Sequence, residues 1–400
     1  MTDVRPVSDW ATDFDVLAQE YVNDPFSIWD RLRDECPVAH TDRRGSTWLP
    51  TTYRDVVDLA HDIEHFSSTD IIVIPFEGEP PDEPVLIYGV PPISADPPLH
   101  TVTRRLILPW FSHRRVDSYE QMTRDLCARL IDGFVDAGRA DAAADYAQQI
   151  PVRVIAHILG VPGEMADTFT GWVRAVLEFA DDMEGRREAI EGLITFFVAE
   201  VERRKSEPGD DLLSELLHAE VDGQPVEDSL VLGVAALVLI AGVDTTWSAI
   251  GSSLWHLATH PEDAKTLAND PEAMPLAIEE LLRAYSPVTM ARVVTGDVEF
   301  QGCPMHAGDK VLMNFPAANR DPAAFEEPDR VILDRAHNRH VAFGSGIHRC
   351  AGSNLARMEL RVAIEEWLRR IPEFRIDDQS PTTWAGGQVR GPRTLPVVFP

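Results

Sequence analysis

Cysteine is scarce in this chain, and none of it is arranged in a paired metal or redox pattern. Cys36, Cys127, Cys303 and Cys350 are the only four in 400 residues. No two stand at C-x-x-C spacing, which argues against a zinc ribbon or a thioredoxin-type site. So few in so long a chain read as reduced thiols of a cytoplasmic protein. Positive charge is short as well: 36 Lys and Arg face 66 Asp and Glu, for a net charge of −30. No basic tract offsets that balance, so nucleic-acid binding is not expected. Long apolar runs are also missing. The longest, Leu230 to Val243, is fourteen residues and ends at Asp244, short of a membrane span and suited to a helix buried inside a protein. The segment from Met1 to Pro6 opens no apolar run, so neither a signal peptide nor a membrane anchor is expected. There is no internal repeat, low-complexity tract or Gly/Ser linker, and residues 1–400 read as one domain. A flavin or nicotinamide fingerprint is absent too, so electrons for any redox reaction would come from separate proteins.

What is present is mostly helical periodicity. A chain of this length can bury a large core together with an internal cofactor. Apolar residues recur at three and four over Leu99–Phe111, Ser118–Ala137, Ala142–Leu159, Glu164–Ala180, Arg186–Ser206, Glu227–Thr259 and Pro271–Tyr285. Tyr53–His61 and Asp210–Ala219 read as shorter helices. Val38–Asp42 and Thr47–Pro50 read as strands around a turn at Arg43–Gly45. Val298–Phe315 reads as a hairpin around Ala307-Gly308-Asp309. Ile71 to Pro98 holds eight prolines and cannot be regular structure; a loop of that length is commonly functional. The expected fold class is mainly α with small β-sheets.

The most informative stretch is Phe343-Gly344-Ser345-Gly346-Ile347-His348-Arg349-Cys350-Ala351-Gly352. A lone cysteine is usually a small buried hydrophobe. This one lies in a glycine-rich loop flanked by basic side chains, just before a helical pattern (Leu355 to Leu368). Glycines let the backbone turn tightly and lie close to something flat. The helix start favours thiolate over thiol at the sulfur, and Phe343 can shield it from water. An axial thiolate on haem iron needs these conditions.

A second stretch, Ala241-Gly242-Val243-Asp244-Thr245-Thr246, places an acid and hydroxyls in the middle of an apolar helix, where they are costly unless used. One reading is a helix kink, with Thr bonding back to a carbonyl and Gly242 loosening the ladder. The other is a widened helix with room for dioxygen and a water; the two are compatible. Glu280-Leu281-Leu282-Arg283 is a third signal and alone a weak one, since an acid and a base three apart share a face on many solvated helices. His100 and Arg104 share a face at i, i+4. With Arg292, His340 and His348 they form a set of cations, any one of which read alone is a solvated surface group.

Taken together these motifs resemble the cytochrome P450 family. Phe-x-x-Gly-x-x-x-Cys-x-Gly resembles its haem-binding loop, Ala-Gly-Val-Asp-Thr-Thr its oxygen-activation motif, and Glu-x-x-Arg with Asn319-Arg320-Asp321-Pro322 its helix and meander on the cysteine side. The similarity runs from about Asp96 to Pro400. It implies the P450 fold, with haem b (iron protoporphyrin IX) held between a long central helix and the cysteine loop, and Cys350 as axial iron ligand. It implies cofactor contacts from His100, Arg104, Ala241, Arg292, Phe343, His348 and Gly352, with Asp244 and Thr245 as catalytic acid and relay hydroxyl. Glu280, Arg283 and Arg330 would form a structural charge network. A substrate pocket would draw on Ile72, Ile74, Leu86, Ile87, Phe179, Leu237, Val288, Met290 and Val389. Segments with so few cations suit an apolar, weakly charged substrate such as a terpenoid, steroid, fatty-acyl or polyketide compound. The implied activity is monooxygenation with O2 and two electrons from a ferredoxin and its reductase, by a monomer without a membrane anchor. Arg105, His113, Arg114, Arg115, Arg349 and Arg357 are the expected docking patch. Two rival readings remain: a peroxide-driven oxygenase or dehydratase, and a haem sensor or carrier.

Overall fold

In the computed structural model, residues 5–74, 90–178 and 182–400 are described. Its axis is the helix Asp228–Thr259, apolar on nearly every face. Such a helix must be buried all round. It packs against Gln149–Leu159, Ala166–Leu177, Met183–Ser206 and Ser353–Arg370 and against the strand Gly391–Thr394. Among the described residues it is the one helix long and apolar enough to cross a membrane, and this packing accounts for its composition. It ends where Pro261 begins the next helix, since proline lacks the N–H that would continue the ladder.

Helix predominates in the rest. Expected segments appear as Tyr53–His61, Leu99–Ile107, Glu120–Asp132, Gln149–Leu159, Ala166–Leu177, Met183–Ser206, Leu212–His218 and Met274–Ala284. A π-helical turn, Ala142–Ala147, precedes Gln149–Leu159, its entry capped by the Asp141 carboxylate on two backbone N–H groups.

The largest sheet has five strands in the order Val38–Thr41, Thr47–Pro50, Lys310–Met313, Met290–Val294 and Phe66–Ser67. The first two form the expected hairpin, with Val38 opposite Pro50 and Thr41 opposite Thr47. The expected hairpin at 298–315 is corrected. The chain reverses at Gln301-Gly302, both at positive φ, joining Val298–Phe300 to Cys303–Met305. Residues 307–309 instead lead into Lys310–Met313, which pairs with Met290–Val294. A C-terminal hairpin, Thr383–Ala385 with Gly391–Thr394, lies over the central helix. The turn 386–390 is pinned to 287–289 by a Val288–Val389 bridge. The sheet edge, this turn, the central helix and the cysteine loop enclose one interior cavity.

Candidate functional site: a cysteine and a threonine facing one cavity

The cavity holds about 1910 Å³ of non-atom space, part of it open to solvent, and both Cys350 and Thr245 line it. One wall is the cysteine loop. Gly344 and Gly346 take φ of +72° and +71°, the left-handed region that favours glycine. A Cβ at Gly346 would lie 2.3 Å from the Ala60 carbonyl oxygen, so the turn seats directly on the Tyr53–His61 helix. The loop closes where the Cys350 N–H donates to the Phe343 carbonyl at 2.8 Å. Burial pushes the Cys350 thiol up, while the Gly352 N–H and the charges of Arg104, Arg349 and Arg357 work in the opposite direction. Those opposing groups are what a thiolate ligand requires. Phe343 lines the cavity, and the Arg357 guanidinium lies 4.4 Å from its ring centroid. Glu279 holds that guanidinium with two hydrogen bonds of 2.6 and 2.8 Å.

Another part of the lining comes from the central helix, helical throughout Asp228–Thr259. The Thr245 hydroxyl donates to the Ala241 carbonyl at 2.9 Å, leaving its oxygen free to accept from the cavity. Gly242 has a packing reason the sequence did not show: a Cβ there would meet Ile155 Cδ1 at 2.5 Å. Asp244 is fully buried and does not line the cavity. Its Oδ1 pairs with Arg393 Nη2 at 2.8 Å, and its Oδ2 has no hydrogen-bond partner among the described residues. Arg393 also pairs with Glu178 at 2.5 Å and bonds Ser248, and its guanidinium lies 4.3 Å from the Trp247 ring centroid. Arg174 pairs with the same Glu178 at 3.0 Å. Burial raises the Asp244 carboxyl to about 6, against the pull of Arg393.

At one end of the cavity four donors gather. The rings of His100 and His348 stand 4.3 Å apart. Among the described residues neither nitrogen of His100 has a hydrogen-bond partner, nor has Nε2 of His348, and all three atoms are buried. Burial, with the positive charges of Arg292 and Arg104, lowers His348 to about 3. Arg292 is buried, bonds only the Ala291 carbonyl among the described residues, and is pushed down to about 10 by desolvation. Arg104 donates to the Arg349 carbonyl. Buried donors without acceptors are rare in folded proteins, and a cofactor bearing two carboxylates would satisfy them. The cavity thus fits haem: donors at its edge, with a cysteine and a threonine both in its lining. His340 is already committed to Glu279, at 3.0 Å.

The Glu280–Arg283 pair is completely buried at 2.8 Å. Arg330 is corrected. Its side chain is 68% exposed and pairs with Glu327; only its carbonyl accepts from Arg283. The third side chain is Arg335, whose Nε donates to Glu280 at 2.9 Å, joined by Asn338 at 3.1 Å. Arg283 also bonds the Asn319 carbonyl, and Asn319 Oδ1 accepts the Val341 N–H at 2.7 Å, which ties the network to the start of the cysteine loop.

Ile72, Leu237, Val288, Met290 and Val389 line the cavity. Ile74 does not; it packs with Trp10, Trp29 and Leu312 in a separate core cluster. Leu86, Ile87 and Phe179 lie outside the described residues. Gln388, a polar member of the lining, was passed over in favour of its apolar neighbour.

Comparison with known proteins gives the same picture. The family model described as "Cytochrome P450" matches residues 152–383. A steroid C26-monooxygenase of Mycolicibacterium smegmatis is 37% identical over 385 residues, covering 93% of this chain and 91% of that protein. The mycinamicin IV hydroxylase/epoxidase of Micromonospora griseorubida is 36% identical over 360 residues, covering 88% and 89%. The crystal structure of CYP109E1 from Bacillus megaterium in complex with testosterone superposes with a TM-score of 0.86 at 29% identity, covering 94% of this chain and 98% of that one.

Proposed function

The chain belongs to the cytochrome P450 family, and from that premise we propose that it inserts one oxygen atom of O2 into a C–H or C=C bond of a lipophilic small molecule. It is an oxidoreductase of the monooxygenase class that binds haem b, and the family works with O2 and a redox partner. When bound, haem supplies the iron at which oxygen is activated.

One observation carries the reading: Cys350 and Thr245 of the acid–alcohol helix line a single cavity. The loop orients Cys350, and the Gly352 N–H and nearby arginines stabilise negative charge on the sulfur. Thr245, fixed by its bond to Ala241, accepts and passes a proton at Oγ1. Asp244, with a carboxyl near 6, is tuned to exchange protons near neutral pH. Its pairing with Arg393 means that the acid reaches the hydroxyl through water or after releasing that arginine. An acid–alcohol pair is of no use to a haem carrier. It also favours reductive oxygen activation over a peroxide-driven reaction.

Relatives named for steroids and for mycinamicin IV, together with the apolar lining, support a substrate in the class of steroids, terpenoids, fatty-acyl compounds or polyketides. For the electron donor we propose a ferredoxin with its reductase. Arg105, His113, Arg114 and Arg349 are exposed around the cysteine side and have no ion pair among the described residues. Arg115 and Arg357 are instead tied to Asp210 and Glu279. A surface groove beside the loop adds His61 and Arg339, so an acidic partner would meet complementary charge.

The test supplies the haem-loaded protein with NADPH, a ferredoxin, its reductase and a steroid or terpenoid panel under 18O2. One labelled oxygen in the product, dependent on reductant, supports the reading. Turnover with hydrogen peroxide alone and none with the reductase chain would assign the peroxide-driven reaction instead. Charge reversal at Arg105 and Arg114 should slow electron delivery, most at low salt; an unchanged rate argues against docking there.

A further inference from the structure

The cavity lining is apolar apart from a few groups, and most of those have an assigned task. Arg104, Arg292 and His348 belong to the donor cluster at the cofactor's edge, and Thr245 to the relay. No Asp or Glu lines the cavity among the described residues. Gln388 stands apart. It is the only amide side chain of the described lining, and it is 9% exposed.

Its position is rigid. The Gln388 carbonyl accepts the Thr289 N–H at 3.0 Å, and the Arg390 N–H donates to the Pro287 carbonyl at 2.7 Å. The side chain is oriented too. Oε1 accepts the Val73 N–H at 3.3 Å; flipping the amide would set two donors face to face. Nε2 is therefore fixed on the other side, where its only partner among the described residues is Met290 Sδ at 3.6 Å. A thioether is a weak acceptor, and an amide with two N–H donors is poorly satisfied by it. Buried donors in that state are destabilising, so an acceptor arriving on a ligand is favoured there.

Resting on the monooxygenase reading above, we propose that Gln388 is the polar anchor for substrate, and that the substrate is an uncharged lipophile bearing one carbonyl, hydroxyl or ether oxygen remote from the carbon oxidised. No carboxylate lines the described cavity to receive an amine. The cavity's arginines, Arg104 and Arg292, would hold the cofactor carboxylates, so an anionic head finds no free cation among the described lining residues. Gln388 then acts on specificity: a pocket built to hydrogen-bond an oxygen discriminates against the analogue that lacks it.

The experiment titrates haem-loaded protein with 5α-androstan-3-one and with 5α-androstane, which differ by one carbonyl, and follows the iron spin-state shift in absorbance. Wild type should bind the ketone roughly fivefold tighter, the return on one buried neutral hydrogen bond. Gln388→Leu and the more nearly isosteric Gln388→Met should bring that ratio to about one. Both also remove the acceptor for the Val73 N–H, but that loss affects the two ligands alike, so the ratio isolates the anchor. Equal affinities in wild type, or a ratio that survives both substitutions, overturns the anchor and leaves the lipophile reading standing. No spin-state shift with either ligand or with the rest of the lipophile panel overturns that reading and the anchor with it. Dodecanoate binding more tightly than dodecan-1-ol would overturn the claim that the substrate is uncharged.

Discussion

Arg393, on the C-terminal hairpin, holds the Asp244 carboxylate of the central helix at 2.8 Å inside the protein. The pair is 149 residues apart in sequence (393 − 244) and joins the acid to Glu178 and, through it, to Arg174. The acid is therefore stored against a cation beside the cavity rather than presented to it.

That storage sets a pH dependence. Burial raises the Asp244 carboxyl from 3.8 to about 6, so the folded protein holds this proton to a higher pH than the unfolded chain. The resulting stabilisation is complete below pH about 4 and is lost as pH rises through about 6. Asp244→Asn should escape that loss. In thermal melts the variant's Tm relative to wild type should climb between pH 4 and 6 and level off above. A difference that is constant over that range contradicts the assigned environment.

Thr245→Ala should leave the fold and ligand binding unchanged and should uncouple the reaction. The measurement is product formed per NADPH consumed, with peroxide released as the balance. Since the hydroxyl's only bond among the described residues is to the Ala241 carbonyl of its own helix, stability should change by no more than about 1 kcal/mol. Fully coupled turnover would remove Thr245 from the relay.

Arg335 and Arg330 should part company. Arg335→Ala strips a cation from a carboxylate that is 0% exposed, a class of change costing about 3–5 kcal/mol, and should lower both Tm and haem content. Arg330→Ala removes a side chain that is 68% exposed and should be nearly neutral. Chemical denaturation of the two variants, with the Soret-to-protein absorbance ratio, decides. Equal losses would contradict the network drawn here.

Two glycines of the cysteine loop should behave differently. Gly346→Ala meets both a φ of +71° and the Ala60 carbonyl, and should destabilise the protein by about 2 kcal/mol. Gly352 has φ −86°, and a Cβ there would only touch Phe111 and the Cys350 sulfur at 3.9 and 4.0 Å. Gly352→Ala should therefore leave the haem-free protein as stable as wild type while lowering its haem content. Destabilisation of the haem-free form would show that the protein, not the cofactor, demands that glycine.

What the sequence made legible was local. The loop from Phe343 to Gly352, the Asp244-Thr245 pair and Glu280-Arg283 each sit within one short motif, and helical periodicity placed the long helices within a few residues of their ends. What escaped was nonlocal or decided by packing. Arg393 has no local signature, because its partners come from distant segments. Arg330 drew attention over Arg335, yet Glu327, three residues before Arg330, supplied a local partner that Arg335 lacks. Gly242 is fixed by Ile155 on another helix. The reversal at Gln301-Gly302 was missed because Gly308 offered an equally good turn residue, and only the pairing of Lys310–Met313 with Met290–Val294 distinguishes them. Ile74 follows Ile71 and Ile72 in an unbroken apolar run, and nothing in that run says which side chains face the core.

The central claim is that Cys350 ligates the haem iron as a thiolate. The absorbance spectrum of the reduced carbon monoxide complex tests it most directly. Wild type should give the red-shifted band of thiolate ligation, set by the electron-rich sulfur. Cys350→Ala, if it retains haem, should lose that band, and so should a variant that retains none. Persistence of the thiolate band in Cys350→Ala would contradict the account at its root.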